Sequence, residues 1–345
     1  MSDANPPMEL IPADKTHQTI TDDTGEVITH YFAAKEIQAI NAAIAINRPL
    51  LLWGEPGIGK SQLAKAAAQA LGRVFIPFVA DAQTEAHDLL WRFDAVARLA
   101  EAQIQSAAQH DRSALAMKHF LIPGPLWWAF NWESALNVIT PDRPASELNE
   151  SMCQRQPPAI ASGCAVQKGV VVLIDEIDKA DSSVPNGLLE ALGANRFQPQ
   201  GWGEVVNCQG IKPLVLITTN EERRLPDAFQ RRCLSLHLAF PATNDNDAQV
   251  QFLLQRARAN FKTLDQERYS ELEDKTVLEA AAALLVADRA YAKEKSLYPL
   301  PGLAEYFDLL RGVQRLSQAT QQSPVDLMGQ LQQFTYQKHP HFHRQ

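Results

Sequence analysis

Residues 54 to 61 read Gly-Glu-Pro-Gly-Ile-Gly-Lys-Ser, a complete G-x-x-x-x-G-K-[ST] pattern behind the apolar run RPLLLW. Glycine at 54, 57 and 59 lets the backbone approach phosphate oxygens where a Cβ would clash, so successive N–H groups turn inward. The helix expected from about Lys60 adds its positive end to the same anion. In that arrangement Lys60 places its ammonium on the β- and γ-phosphates, and Ser61 binds a magnesium ion through its hydroxyl. The competing explanation is a chance match of eight residues, and the position between a buried strand and a helix argues against it.

Two further stretches put polar groups at strand ends. In "VVLIDEID" (171–178), Asp175 stands where a phosphate-loop protein needs a carboxylate for the magnesium shell. Glu176 beside it is more informative. A second carboxylate can orient or deprotonate a water attacking the γ-phosphate, which hydrolysis requires and phosphate binding alone does not. The blander alternative is a pair of acids capping the next helix. Lys60 and Asp175 are 175 − 60 = 115 residues apart, room for a strand, a helix and an insert.

In "LVLITTNEERRLPDAFQRRC" (214–233), Asn220 follows an apolar strand at the carboxyl edge, where ligands of open α/β sheets bind. It could hydrogen-bond the γ-phosphate or the attacking water, or simply form a turn. Arg231 and Arg232 come next, the latter 232 − 220 = 12 residues on. They either bind their own helix's carbonyls or act as an arginine finger that completes a neighbour's site.

Other features point to structure more than chemistry. His339, His341 and His343 in "KHPHFHRQ" lack an accompanying carboxylate or cysteine, which favours a disordered tail over a metal site. Trp127, Trp128 and Trp132 read as core or interface aromatics in preference to a base-stacking platform. Cys233 reads as a small buried residue. With Cys153, Cys164 and Cys208 it forms no C-x-x-C pair, so no zinc signature is present and a reducing cytoplasm is implied. The 345 residues carry a net charge of −8, which argues against a dedicated nucleic-acid binder with a basic face. No apolar run approaches the roughly 20 residues that cross a bilayer, and the polar N-terminus shows no signal-peptide pattern. A soluble cytoplasmic enzyme is the expectation.

These residues need a sheet to position them. Periodicity predicts a helix over 33–46, a strand in RPLLLW, a helix over 62–71 and a strand over 73–80. A helical stretch is predicted over 84–117, then a turn or hairpin over 120–130 entering a short helix. Residues 140–169 read as a surface insertion loop. Strands at 169–178 and 211–220 flank a helix over 183–192 and a hairpin over 195–210. After residue 241 only helices are predicted, over 247–261, 276–293 and 303–317. Strands alternating with helices imply an α/β fold with a parallel sheet sandwiched by helices. The expected domains are a poorly packed leader over 1–30, to which TGEVITHYF could add a short edge strand, an α/β nucleotide-binding domain over 31–241, and a helical domain with polar tail over 242–345.

Taken together, the chain resembles the AAA+ ATPases, and among them the MoxR-like branch, from about residue 31 to 241. "YFAAKEIQAINAAIAINRPLLLWGEPGIGKSQLA" is similar to that family's first helix and Walker A segment, and "DLLWRFDAVARLAEAQ" and "GPLWWAF" to later stretches of the branch. "LIDEIDKADSSVPNGLLEAL" is similar to its Walker B and following helix, and "ITTNEERRLPDAFQRRC" to its sensor 1 and arginine-finger region.

The resemblance implies a P-loop NTPase (AAA+) fold with a C-terminal helical lid. ATP would be held by Gly54, Glu55, Pro56, Gly57, Ile58, Gly59, Lys60 and Ser61, with Mg2+ on Ser61 and Asp175. It makes Glu176 the catalytic glutamate, Asn220 the sensor 1 residue, and Arg232, with Arg231 beside it, a finger acting on the next subunit. It further implies homo-oligomeric, usually hexameric, rings that remodel or mature a partner, often one with a von Willebrand factor A domain. Two departures stand out. The stretch "YPLPGLAEYFDLLR" (298–311) has Ala304 and Glu305 where many relatives carry a sensor 2 arginine, and the 140–169 loop is long. Two other functions remain open: a nucleotide-dependent scaffold or switch in a defence or signalling system, and an NTPase motor subunit of a restriction-type complex. The second could use GTP, although no guanine-reading N-K-x-D run occurs.

Overall fold

A computed structural model describes residues 8–21, 25–108, 115–139, 156–242, 245–261, 264 and 276–338. The histidine tail, Cys153 and the first half of the expected insertion loop lie outside them. Along the chain run β1 (His17–Thr21), β2 (Val27–Tyr31), α1 (Ala34–Ile46), β3 (Leu50–Trp53), α2 (Lys60–Leu71) and β4 (Val74–Val79). Then come β5 (Trp91–Phe93), α3 (Ala95–Ala108), β6 (Leu121–Pro123), α4 (Pro125–Phe130) and α5 (Trp132–Ile139). They are followed by β7 (Val170–Asp175), α6 (Ser183–Ala194), β8 (Arg196–Phe197), β9 (Val206–Asn207) and β10 (Leu214–Thr219). The last elements are α7 (Asp227–Gln230), β11 (Leu234–His237), α8 (Asn246–Ala257), α9 (Val277–Glu294), α10 (Leu303–Thr320) and α11 (Pro324–Thr335).

The chain divides into two compact units. The first comprises Met1–Lys15, Ala34–Trp53 and Ala64–Leu236; the second comprises Thr16–Ala33, Gly54–Leu63 and His237–Gln345.

The first unit is built on a five-stranded sheet in the order β11-β3-β10-β7-β4. β3, β10, β7 and β4 pair in parallel, with Leu50 opposite Leu216, Leu214 opposite Val171 and Val74 opposite Val170. Their sequences are continuous apolar runs because helices cover both faces of such a sheet. The runs turn polar only at their carboxyl ends, in Asp175 on β7 and in Thr218 and Thr219 on β10. Beneath them lies an aromatic core. Trp127, fully buried, meets Phe197 and Trp202 edge-on at 5.7 and 5.5 Å and donates from Nε1 to Ser134 Oγ at 3.0 Å. Trp128 packs against Trp132 at 4.9 Å. All three tryptophans are therefore packing residues. Cys233 is buried as expected, and burial pushes its thiol up to about 12.

Three expectations are corrected here. The helix over 84–117 is interrupted by β5, which pairs antiparallel with β6. Aspartates explain the break, since short polar side chains compete with helix hydrogen bonds. Asp81 Oδ1 accepts from Gln83 N–H at 2.9 Å, Asp88 Oδ2 from Glu85 N–H at 2.8 Å, and Asp94 Oδ1 from Ala97 N–H at 2.8 Å. The edge strand β11 was not expected; it joins β3, with Leu234 N–H donating to Pro49 O at 2.8 Å. The described part of the leader, residues 8–21 and 25–30, is also not loose. Ile11 is buried in the first unit, where the Asn41 side chain both accepts from its N–H at 2.9 Å and donates to its carbonyl at 2.8 Å.

In the second unit β1 and β2 form an antiparallel hairpin with Ile20 opposite Ile28, both buried. Asn260 holds it, accepting from Thr29 N–H at 2.6 Å and donating to Thr29 O at 3.0 Å. Helices α8 to α11 make up the remainder. Thr276 starts α9 by accepting from Glu279 N–H. Tyr306 and Tyr336 each reach a carbonyl of α9, at Leu278 and Ala281. Among the described residues no helix is long and apolar enough to cross a membrane.

Candidate functional site

The sequence-predicted residues of the first unit converge at the carboxyl edge of β7 and β10. Immediately after β7, Glu176 sits in the left-handed region at φ 56° and ψ 45°, turning the chain sharply away from the strand. A non-glycine residue there needs support from its surroundings. Thr218, fully buried on the neighbouring strand, supplies it: its Oγ1 accepts from Glu176 N–H at 2.9 Å and donates to Asp175 Oδ1. One hydroxyl thus fixes both acids.

The Glu176 carboxylate is held at each oxygen. Asn220 Nδ2 donates to Oε1 at 3.1 Å, and Lys179 Nζ donates to Oε2 at 2.6 Å. That hydrogen bond is the main reason the Lys179 ammonium titrates above its ordinary range. Asp178, almost fully buried, fixes the Asn220 backbone in turn. Its Oδ2 accepts from the N–H groups of Asn220 at 3.2 Å and Glu222 at 2.9 Å. Asn220 is therefore more than a turn former, and Glu176 does not cap a helix. Thr218, Asp178 and Lys179 received no role in the sequence reading. Thr218 and Asp178 are buried polar side chains, which in folded proteins find hydrogen-bond partners.

Arg231 and Arg232 follow α7 and are exposed. Their backbone N–H groups bond Asp227 O and Phe229 O, yet neither guanidinium hydrogen-bonds a described residue. Binding to their own helix's carbonyls is thus not what these side chains do.

The glycine loop belongs to the second unit. Lys60 is buried and donates to Gly54 O at 2.6 Å and Glu55 O at 3.2 Å, bracing the loop from inside. All three loop glycines have positive φ, at 150°, 76° and 102° for Gly54, Gly57 and Gly59. Their surroundings differ. A Cβ on Gly54 would lie 2.2 Å from Leu238 O, and one on Gly57 would lie 3.0 Å from the Ala304 Cβ. On Gly59 it would meet nothing within 4 Å. Gly54 and Gly57 make room for protein, and Gly59 alone opens on free space of the kind an anion needs. Ala304 at the start of α10 fits against the loop as a small residue, in line with the missing arginine there.

The family model described as the AAA domain, dynein-related subfamily, matches residues 49–233. No curated protein sequence matches the chain. Among solved structures it is similar to a Thermotoga maritima RuvB mutant at 16% identity, over 87% of this chain and 68% of that one, with a TM-score of 0.42. It is also similar to Brucella abortus NtrX in complex with ATP at 12% identity, over 84% of this chain and 52% of that one, with a TM-score of 0.42.

Proposed function

The chain belongs to the AAA domain family, dynein-related subfamily, and on that premise we propose that it is an ATPase of the MoxR-like kind. It binds ATP with Mg2+, hydrolyses it and works as a homo-oligomeric ring, a hexamer in the first instance. Its product is a remodelled or matured partner, for which a protein with a von Willebrand factor A domain is the leading candidate. In domain terms, residues 31–241 form the nucleotide-binding α/β part and 242–345 the helical lid. The observation that carries this reading is the Glu176 carboxylate, held between Asn220 and Lys179 beside Asp175. A protein that only bound nucleotide would have no use for a second carboxylate so fixed.

Each residue then has a role. Gly54 to Ser61 receive the phosphates, with Lys60 turning from its loop carbonyls to the β- and γ-oxygens. The Ser61 hydroxyl and Asp175 carboxylate are hard oxygen donors of the kind Mg2+ takes, and they would hold it. Bound there, the ion would neutralise charge on the phosphate oxygens. Glu176 accepts the proton of the attacking water at a carboxylate oxygen, and Asn220 keeps that carboxylate oriented. Arg232, with Arg231 beside it, reaches the next subunit's γ-phosphate, which fits two exposed guanidiniums that hydrogen-bond no described residue.

The test is subunit mixing. Lys60→Ala should abolish nucleotide binding, whereas Glu176→Gln should bind and not turn over. An Arg232→Ala subunit mixed with a Glu176→Gln subunit should regain ATPase activity at the interface where both wild-type groups meet. If mixed rings form and no mixing ratio restores turnover, the finger assignment is wrong.

A further inference from the structure

We propose that Arg289 is a positioning residue that sets the shape of the phosphate loop through Glu55, so that α9 controls nucleotide affinity. The inference rests on the reading of residues 54–61 as a nucleotide loop. It adds a residue 234 positions away that no motif marks.

Arg289 lies in α9 with its side chain only 4% exposed. Its Nη2 donates to both Glu55 oxygens, at 2.8 and 2.6 Å, and its Nη1 donates to Pro301 O at 2.8 Å. The guanidinium plane lies 4.4 Å over the Phe240 ring. Two neighbours in the second unit, Pro301 and Phe240, therefore fix the cation before the loop is considered, and a planar donor fork loses little freedom in such a setting. Glu55 differs: its side chain is 49% exposed, so water could solvate it. It is nevertheless drawn onto the buried guanidinium. A buried cation without its counter-charge is strongly unfavourable, which gives this pairing more weight than a surface ion pair.

Glu55 is also well placed to transmit. Its side chain is held by Arg289 and its carbonyl accepts from Lys60, the residue assigned to the phosphates. Gly54 before it is closed against Leu238, and Gly57 after it against Ala304. Leu238 and Ala304 thus bound the loop at two of its glycines, and the Glu55 side chain ties it to α9. Any movement of α9 pulls on Glu55 and so on the carbonyls that Lys60 leaves when phosphate arrives. By reciprocity, a bound nucleotide biases the position of α9 by the same amount.

The experiment uses the full chain with the variants Glu55→Gln, Arg289→Lys, Arg289→Met and the double Glu55→Gln/Arg289→Met. The probe is a fluorescent ADP analogue, and ATP KM, kcat and melting temperature are measured in parallel. Arg289→Met should raise Kd and KM by about tenfold while kcat falls less than threefold. Arg289→Lys, which keeps the charge but not the fork, should recover part of that loss. The double variant should bind no worse than Arg289→Met, since both changes break one contact. A wild-type Kd in Arg289→Met, or strictly additive losses in the double variant, would overturn the proposal. So would a loss of binding that Arg289→Lys does not relieve at unchanged melting temperature. Should the wild-type chain bind no nucleotide, the proposed function fails separately. Hydrogen exchange at 54–59 then decides, since exchange in Arg289→Met must be at least threefold faster, and an unchanged rate refutes the role of Arg289.

Discussion

Replacing Thr218 by valine tests whether one buried hydroxyl organises both acids. The substitution keeps the shape and removes two hydrogen bonds, one accepted from Glu176 N–H and one donated to Asp175. The neutral bond contributes about 0.5–1.5 kcal/mol and the charge-assisted one about 1.5–3 kcal/mol. The added buried methyl returns about 0.8 kcal/mol, so the net loss is about 1–4 kcal/mol. More telling is the kinetic effect. Glu176 holds a left-handed backbone that costs about 1–2 kcal/mol, and without Thr218 it relaxes toward ordinary angles. Its carboxylate then leaves Asn220 and Lys179, and a displacement near 1 Å can cost about a hundredfold in rate. The assays are urea unfolding and steady-state ATPase, with Thr218→Ser as the control that keeps the hydroxyl and loses only a methyl. Thr218→Val should lose about 1–4 kcal/mol and about ten- to a hundredfold in kcat by these arguments, and Thr218→Ser should stay within about threefold. If the two variants share one kcat, the hydroxyl does not position Glu176 and the reasoning fails.

Three further outcomes follow from the same geometry. Gly54→Ala should weaken nucleotide binding by at least about tenfold and lower the melting temperature, because its Cβ would lie 2.2 Å from a backbone oxygen; equal stability of Gly54→Ala and wild type would contradict this. Gly59→Ala meets no protein atom, so it loses only what the φ of 102° costs an alanine; its melting temperature should fall less than that of Gly54→Ala while nucleotide binding, read by calorimetry, is still impaired. Cys233, with its thiol raised to about 12 against an ordinary 9.0, supports the fold fully below pH 9 and loses that support as pH rises towards 12. Between pH 8 and 10.5 the wild type should therefore lose about 2 kcal/mol more unfolding free energy than Cys233→Ala, and parallel pH curves would refute it.

The parts of this molecule legible in its sequence are those encoded locally. The strand–loop–helix around Lys60, and the apolar strands ending in Asp175 and Thr219, need only neighbouring residues to be recognised. Of the hairpin of β1 and β2 only a candidate edge strand in TGEVITHYF was legible, because the residue that holds the pair, Asn260, lies 231 residues from Thr29. β5 was missed because Asp88 holds a turn through Glu85 N–H and Asp94 starts α3 afresh, within an alanine-rich stretch that otherwise reads as one helix. The glycines are the more instructive case. Spacing alone marks Gly54, Gly57 and Gly59 as alike, since all three must adopt positive φ. What each one makes room for depends on Leu238 and Ala304, which no window around the loop contains. The same holds for Glu55, a residue the motif leaves free to vary and the fold ties to Arg289. A phosphate loop can therefore be found from eight residues, but its tension is set by helices far along the chain. A loop sequence transplanted without α9 and α10 should keep its glycines and lose its shape.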